Sequence, residues 1–332
     1  MAARLTGRPA CLATVPSSTP LPPELTKGPF LLADVRRWGL PDQIVRGRRF
    51  RRIFHGVYAP ASMPDSLTLR VEAASLILGP SAVFCHHTAA QLRDLPVPAE
   101  PRLHVTVAPG RRRPRARGIV GHRTTITEAT TWRGVRITTV ERTFVDLART
   151  LGLVDAVVLG DAMVRRGFTT VAKLVSASEG SSGRNAVLVR RAGRLVRQRV
   201  DSPMESRLRL LLVLAGLPCP EPGLEILDDH GQWVATADLQ YERARIAIEY
   251  DSDLHRTRKR KWRHDVAGRD RLRELGWQVI LVTADDIYVR PHRTLERVHD
   301  ALRLRGGEGV PRFLDPRWRE HFAPRGHITD HW

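Results

Sequence analysis

Two short runs, Trp233 to Asp238 and Ile246 to Asp251, alternate polar and apolar residues with the period of two that adjacent β-strands show. Tyr241, Glu242 and Arg243 supply the turn between them. On the second run Ile246, Ile248 and Tyr250 take one face, and Glu249 and Asp251 take the other. Ahead of the hairpin, the stretch from Asp201 to Gly216 reads as a helix. Ser202 stands three residues before Glu205 with Pro203 between, the pattern of a capping box with proline in the first turn, and Gly216 is a stop. Behind the hairpin, residues 262–276 form a second helical pattern, with Asp265 and Arg269 as i,i+4 partners and Trp262, Val266 and Leu275 facing the sheet. Gln278 to Thr283 is a continuous apolar run, suited to the middle of a sheet covered on both sides. Helix, hairpin, helix and strand predict an α/β sandwich with a small mixed sheet.

The front of the chain has a different pattern. Pro29 to Gly39 predicts a short helix closed by glycine, and Pro41 to Arg49 a second one. Phe50 to Pro60 alternates like a strand pair with a tight turn. Helix, turn, helix and basic wing outline a winged helix-turn-helix; a small basic helical hairpin packed on its neighbour gives the same pattern. The middle mixes helices at 67–78, from Thr88 and at 140–148 with a strand from His104. Glu141, Arg142 and Asp146 read as an internal ion network, and the adjacent His86 and His87 as core histidines. Six segments follow: a disordered Pro-, Ser- and Thr-rich tail at 1–27, a winged-helix domain at 28–60 and a middle α/β domain at 61–175. A linker and helix at 176–199, opened by a Ser- and Gly-rich stretch, lead to the acidic domain at 200–300 and a tail at 301–332.

Charge changes the picture. The chain has 54 Lys and Arg against 35 Asp and Glu, a formal net charge of +19. Such a balance suits a polyanion, nucleic acid above all, although an Arg-rich proteome also raises it. The charge is clustered: Arg46, Arg48, Arg49, Arg51 and Arg52 fall on the second helix and the wing. Arg256, Arg258, Lys259, Arg260, Lys261 and Arg263 follow the acidic hairpin. Five arginines between Arg111 and Arg117 lie in a Gly- and Pro-punctuated loop, either solvated or touching DNA. Cys11, Cys85 and Cys219 have no zinc spacing and suit a reducing cytoplasm. No apolar run approaches the roughly 18 residues of a membrane span, and the first residues lack the apolar core of a secretory signal.

The chemistry concentrates in the hairpin. Asp238 precedes Glu249 by eleven residues, as two neighbouring strands require, and Asp251 shares the Glu249 face. Three carboxylates make a poor core and a good site for a hard cation such as Mg²⁺ or Mn²⁺. Glu205 has a structural role as a cap and, on a helix leading into the sheet, a second role facing that site.

Ser202 to Arg209, Ala237 to Leu239, Ile248 to Asp251, and His255, Asp265, Arg269 and Leu272 before Gly276 and Trp277 together resemble Vsr-like endonuclease domains. These belong to the PD-(D/E)XK restriction-nuclease superfamily. The resemblance covers roughly residues 200–290 and implies a restriction-endonuclease-like fold. It implies further that Asp238 and Glu249 bind metal, Glu205 assists, and His255 stands near the attacking water or the scissile phosphate. Asp251 occupies the position of the superfamily lysine, which leaves transition-state charge to His255, Arg269 or a second metal. The stretch from Gly47 to Tyr58 and the later Glu141 to Ala148 resemble AbiEi-type antitoxins of type IV toxin–antitoxin systems. That resemblance implies a DNA-binding winged helix followed by an α/β regulatory domain. The expected protein is a cytoplasmic DNA-binding metal-dependent endonuclease, with catalytic Asp238, Glu249, Asp251, His255 and Glu205. The alternative is a non-catalytic antitoxin or repressor with a cognate toxin protein as partner. Winged-helix proteins pair on palindromic sites, so a homodimer is compatible with either.

Overall fold

The computed structural model describes residues 21–107, 114, 116–123, 128–251 and 270–322. It divides into two compact units, the first from the described residues of Met1–Phe84 and Glu100–Thr127, the second from those of Cys85–Ala99 and Glu128–Trp332. Both mix helices and strands.

In the first unit, β1 (Phe30–Leu31), α1 (Leu32–Arg37), β2 (Phe50–Phe54) and β3 (Val57–Pro60) form a three-stranded antiparallel sheet, order β1-β3-β2, with one short helix. Gly39, at φ +68°, follows α1 in the left-handed conformation that glycine adopts freely. The second helix expected from Pro41 to Arg49 is a 3-10 turn, Asp42–Arg46, ended by the extended backbone of Gly47. Its Ile44 and Val45 pack with Phe30, Val35 and Phe50. Leu25, in a 3-10 turn over Pro23–Leu25, joins the same core at 1% exposure, so ordered packing begins inside the stretch expected as a tail. Next come α2 (Leu67–Leu78), capped by Ser66 Oγ on the Leu69 N–H, and β4 (Val83–Phe84). The chain enters the second unit for α3 (His86–Gln91), then returns for β5 (Leu103–Val107) and β6 (Ile119–Arg123). β5 pairs antiparallel with β4 and parallel with β6.

The second unit continues with the hairpin β7 (Ala129–Trp132) and β8 (Val135–Thr138). Helices α4 (Val140–Ala148), α5 (Leu153–Arg165), α6 (Val171–Glu179) and α7 (Ala186–Leu195) follow. In α4, Arg142 pairs with Asp146 at 2.9 Å, whereas Glu141 leaves the expected network and accepts from Thr169 Oγ1 at 2.5 Å. His86 is half-buried, its Nδ1 4.0 Å from Asp146. The stretch from Ser176 to Asn185 covers the end of α6 and the turn before α7, and Leu174, Val189 and Ala192 on these helices enter the main core.

That core continues into α8 (Pro203–Leu214) and the sheet it covers: β9 (Glu221–Leu227), β10 (Trp233–Tyr241), β11 (Ile246–Tyr250) and β12 (Gln278–Val282). Leu208, Leu211 and Leu212 of α8 share a cluster with Leu239, Ile246 and Ile248. The order is β12-β11-β10-β9, antiparallel except for the parallel pair β11–β12, a small mixed sheet as expected. β12 is an edge strand among the described residues, not a central one. The helical residues 270–274 (α9) lead into it, and α10 (Ala284–Tyr288) and α11 (Pro291–Leu304) follow. Arg297 of α11 caps the Leu281 carbonyl at 3.1 Å, occupying a backbone acceptor on that edge. Trp318 and Phe322, beyond α11, are buried in the same core. No helix among the described residues is long and apolar enough to cross a membrane.

Candidate active site

The site begins at the first turn of α8. Ser202 is extended and its Oγ accepts the Glu205 N–H at 3.2 Å, while Pro203 needs no partner for the N–H it lacks. The reciprocal half of the capping box is replaced. Glu205 Oε2 accepts the N–H of Asp201 at 2.8 Å, so the carboxylate turns toward the residue before the cap. Glu205 is only 7% exposed. Burial raises its pKa above the ordinary carboxylate range, against the pull of two hydrogen bonds and the charge of Arg165. The segment carrying Asp201 lies close over β9: a Cβ at Gly223, φ +60°, would collide with the Arg199 carbonyl oxygen, which only glycine avoids.

Asp238 marks the place where β10 and β11 part. Their antiparallel pairing runs from Tyr241–Ile246 to Leu239–Ile248. One residue further, the Asp238 side chain takes over, its Oδ2 accepting the Tyr250 N–H at 2.7 Å. β11 itself continues beside β12 as far as Tyr250–Val282, and the Asp251 N–H reaches the Val282 carbonyl at 2.8 Å. Burial, then the negative charge of Glu205, push the Asp238 pKa from 3.8 up to about 7; the Tyr250 N–H opposes this, and Glu249 and Asp201 add to it.

The structure therefore brings Glu205, Asp238 and Glu249 together, from α8, β10 and β11. Glu249 and Asp251 alternate with Ile248 and Tyr250, whose side chains face the main core, as the period of two predicts. Both acids are half-buried. The donors are all carboxylate oxygens and they repel one another, so a hard divalent cation fits the set: it would replace the proton that Asp238 otherwise retains near neutrality. Asp201 and Arg165 also act on this cluster and carry no local sequence signal of doing so. His255, Arg256, Arg258, Lys259, Arg260, Lys261, Arg263, Asp265 and Arg269 lie outside the described residues.

The predicted basic contacts of the front sit in the first unit. Arg46, Arg48 and Arg52 are exposed, and Arg49 and Arg51 are half-buried. Arg51 donates through Nη2 to the Met63 carbonyl at 3.0 Å, which fixes the strand to the loop before α2. A cavity of about 790 Å³ opens beside the hairpin, with Arg51, Arg52, His55, Arg70 and Arg117 among its lining residues and Asp65 their carboxylate. Of the arginine loop, Arg117 is described and exposed, whereas Arg111, Arg112, Arg113 and Arg115 lie outside the described residues.

No family model matches the chain. Two proteins described as uncharacterized, Rv2248 and MT2308 from the H37Rv and CDC 1551 strains of Mycobacterium tuberculosis, are each 29% identical to it over 248 residues, 74% of this chain and 90% of theirs. The crystal structure of the RV2827C protein from Mycobacterium tuberculosis matches 60% of this chain and 84% of its own, with a TM-score of 0.38 and 14% identity. The likeness of this chain is thus to mycobacterial proteins whose descriptions name no activity.

Proposed function

We propose that the chain is a DNA-binding protein whose C-terminal domain hydrolyses phosphodiester bonds with Mg²⁺ or Mn²⁺ held by Asp238 and Glu249. The observation that carries this reading is the meeting of three carboxylates, one with its pKa raised to about 7 by burial and by the others. A structural role offers no reason to crowd like charges. The reading treats the front as a winged helix followed by an AbiEi-like α/β region. The C-terminal sheet and α8 belong to a Vsr-like, restriction-endonuclease-type domain.

A bound divalent cation would polarise a phosphate oxygen and lower the pKa of water. The chain's own residues do the remaining work. The Tyr250 N–H holds Asp238 in one orientation, and the Asp201 N–H does the same for Glu205. Glu249 and Asp251 extend the oxygen set along β11. His255 acts as general acid or base, or holds the attacking water. Arg46, Arg48, Arg49, Arg51 and Arg52 grip phosphates from the front. Arg256, Arg258, Lys259, Arg260, Lys261, Arg263 and Arg269 do so beside the acids, and binding by both groups weakens steeply with salt.

The test is cleavage of supercoiled and linear DNA by the full chain and by Asp238→Ala, with Mg²⁺, Mn²⁺ or EDTA. Metal-dependent nicking that disappears in the variant is the expected result. The second reading is a non-catalytic regulator with a cognate toxin, favoured by Asp251 standing where the superfamily has lysine. Tight, salt-sensitive DNA binding without cleavage under any metal would decide for it.

A further inference from the structure

The basic residues of the front divide between open surface and a cavity. Arg46 and Arg48 are exposed and do not line it, whereas Arg51, Arg52, Arg70 and Arg117 border one space of about 790 Å³ within the first unit. Asp65 is the carboxylate among the lining residues, so four guanidiniums against it leave a formal excess of three positive charges. Like charges gathered around a concave space repel one another, and an anion inside relieves them.

Local structure explains how β2 delivers two of the four. On a regular strand Arg51 and Arg52 would project from opposite faces. Here β2 pairs Arg52 with Tyr58 and Phe54 with Val57, so two steps on β2 meet one on β3, and Ile53 is the extra residue of a bulge. The alternation is broken, and Arg51, Arg52, Ile53 and Phe54 all border the cavity. The second wall is the turn before β6, closed by the Ile119 N–H on the Ala116 carbonyl at 3.0 Å. Its Gly118, at φ +86°, lies against the hairpin: a Cβ there would stand 3.6 Å from Phe54 Cε1. Arg117, the chain neighbour of Gly118, is thereby held at the hairpin. The third wall is α2, where Arg70 donates to the Pro101 carbonyl and Ile77 is exposed. Arg51 is fixed by its bond from Nη2 to the Met63 carbonyl, while its Nε is buried and meets no acceptor among the described residues. A charged donor withdrawn from water without an acceptor is costly, and a phosphoryl oxygen satisfies it.

We propose that this cavity is a binding site for a small phosphate ester of nucleoside diphosphate size. Arg51, Arg52 and Arg117 hold its phosphoryl groups, and Ile53, Phe54 and Ile77 face its organic part. A terminal phosphoryl group carries about −1.5 to −2 charge at neutral pH, and a second one bridged to it brings the total near the excess of the lining. The volume falls within the roughly 300–1,000 Å³ of small-ligand sites, and a bare phosphate would leave most of it empty. A duplex, by contrast, presents its phosphates in rows along an open flank. The inference goes beyond the DNA-binding reading and stands without it. With the cavity filled, Arg51 and Arg52 are occupied, and Arg46 and Arg48 remain for a duplex.

The experiment titrates full-length wild type, Arg52→Ala, Arg117→Ala and Arg48→Ala with ADP, with pyrophosphate and with a short DNA duplex. Calorimetry in EDTA keeps metal from the carboxylate site. Wild type should bind one ADP per chain, more tightly than pyrophosphate, because ADP alone covers the apolar wall. Arg52→Ala and Arg117→Ala should each weaken ADP binding by about 10-fold, the loss of one charge-assisted contact. Arg48→Ala removes the same charge outside the cavity and should leave ADP affinity within about 2-fold. All three side chains are exposed, so the variants should keep the wild-type thermal midpoint without ligand. A wild type that binds no ADP, or unchanged affinity in both cavity variants, overturns the inference. So does an equal loss in Arg48→Ala, which reports net charge alone, or equal affinity for ADP and pyrophosphate. A duplex that displaces ADP and itself weakens about 10-fold in Arg117→Ala would give the cavity to the DNA backbone and overturn it as well. Cleavage at Asp238 is read separately, with metal present, so either reading can fail without the other.

Discussion

Asp161, buried, and Asp238, half-buried, are both aspartates of the second unit, and desolvation pushes the pKa of each upward. Their surroundings differ. Asp161, 2% exposed, accepts from Ser206 Oγ and Arg209 Nη2, each at 2.7 Å, and from the Arg197 N–H at 2.8 Å. Both carboxylate oxygens have donors, and one donor is a fully buried guanidinium. Asp238 has the Tyr250 N–H and, on its other sides, the charges of Glu205, Glu249 and Asp201. The first arrangement neutralises a charge and ties α5, α7 and α8 together. The second accumulates charge, which folding alone does not call for. Burial by itself does not distinguish a structural acid from a site acid; the sign of the neighbours does.

The strongest way to break this comparison is to remove the cation from Asp161. Arg209→Met leaves a buried carboxylate without its countercharge and should cost about 3–5 kcal/mol in urea unfolding. Adding Asp161→Leu to that variant should return much of the loss, because an apolar pair needs no countercharge. A single variant that loses less than about 1 kcal/mol would show that the pair does not act as a unit.

Asp238→Asn should have the opposite sign. A carboxyl whose pKa rises on folding binds more protons in the folded than in the unfolded chain between pH 3.8 and about 7. Stability contributed by this group therefore falls as pH rises through that window, and levels off above it. In EDTA at pH 8 the neutral amide should stabilise the fold by about 2 kcal/mol, with the gain vanishing toward pH 4. Unfolding free energies of wild type and variant across that range give the difference directly. A variant less stable than wild type at pH 8 would mean that the acids do not crowd one another.

A smaller change sharpens the attribution. Glu205→Gln keeps an oxygen for the Asp201 N–H and removes only the charge. The Asp238 pKa should then fall from about 7 toward the ordinary carboxylate range, read by carboxyl carbon NMR in metal-free buffer. An unshifted titration would assign the raised value to burial alone.

Much of this was legible in the sequence because the signals are local. The helices at Leu67–Leu78 and Val140–Ala148 start at Ser66 and Thr139, whose hydroxyls accept from the N–H three residues on, and an apolar pattern carries them forward. Glu249 and Asp251 were placed by the period of two, and Glu205 by its distance from Ser202. What escaped depends on tertiary contacts. The turn over Asp42–Arg46 has helical composition, but Ile44 and Val45 are drawn into the core by Phe30 and Phe50, and Gly47 ends it. β9 carries Pro222 and Gly223, which read as breakers, yet its pairing with β10 overrides them. Arg165 lies 40 positions before Glu205 on another helix, and its charge acts on that carboxyl, which no spacing rule encodes.

The smallest expected effect separates distance from environment. Arg243 and Glu308 lie 2.6 Å apart, closer than Arg209 and Asp161, but their side chains are 83% and 78% exposed. Water screens the attraction, and holding two long side chains in one geometry offsets what remains. Arg243→Ala should therefore shift unfolding by no more than about 0.5 kcal/mol, at low and high salt alike. If it instead cost as much as Arg209→Met, short contact distance would be the controlling variable. The contrast between Asp161 and Asp238 would then need an explanation other than the donors and charges around each.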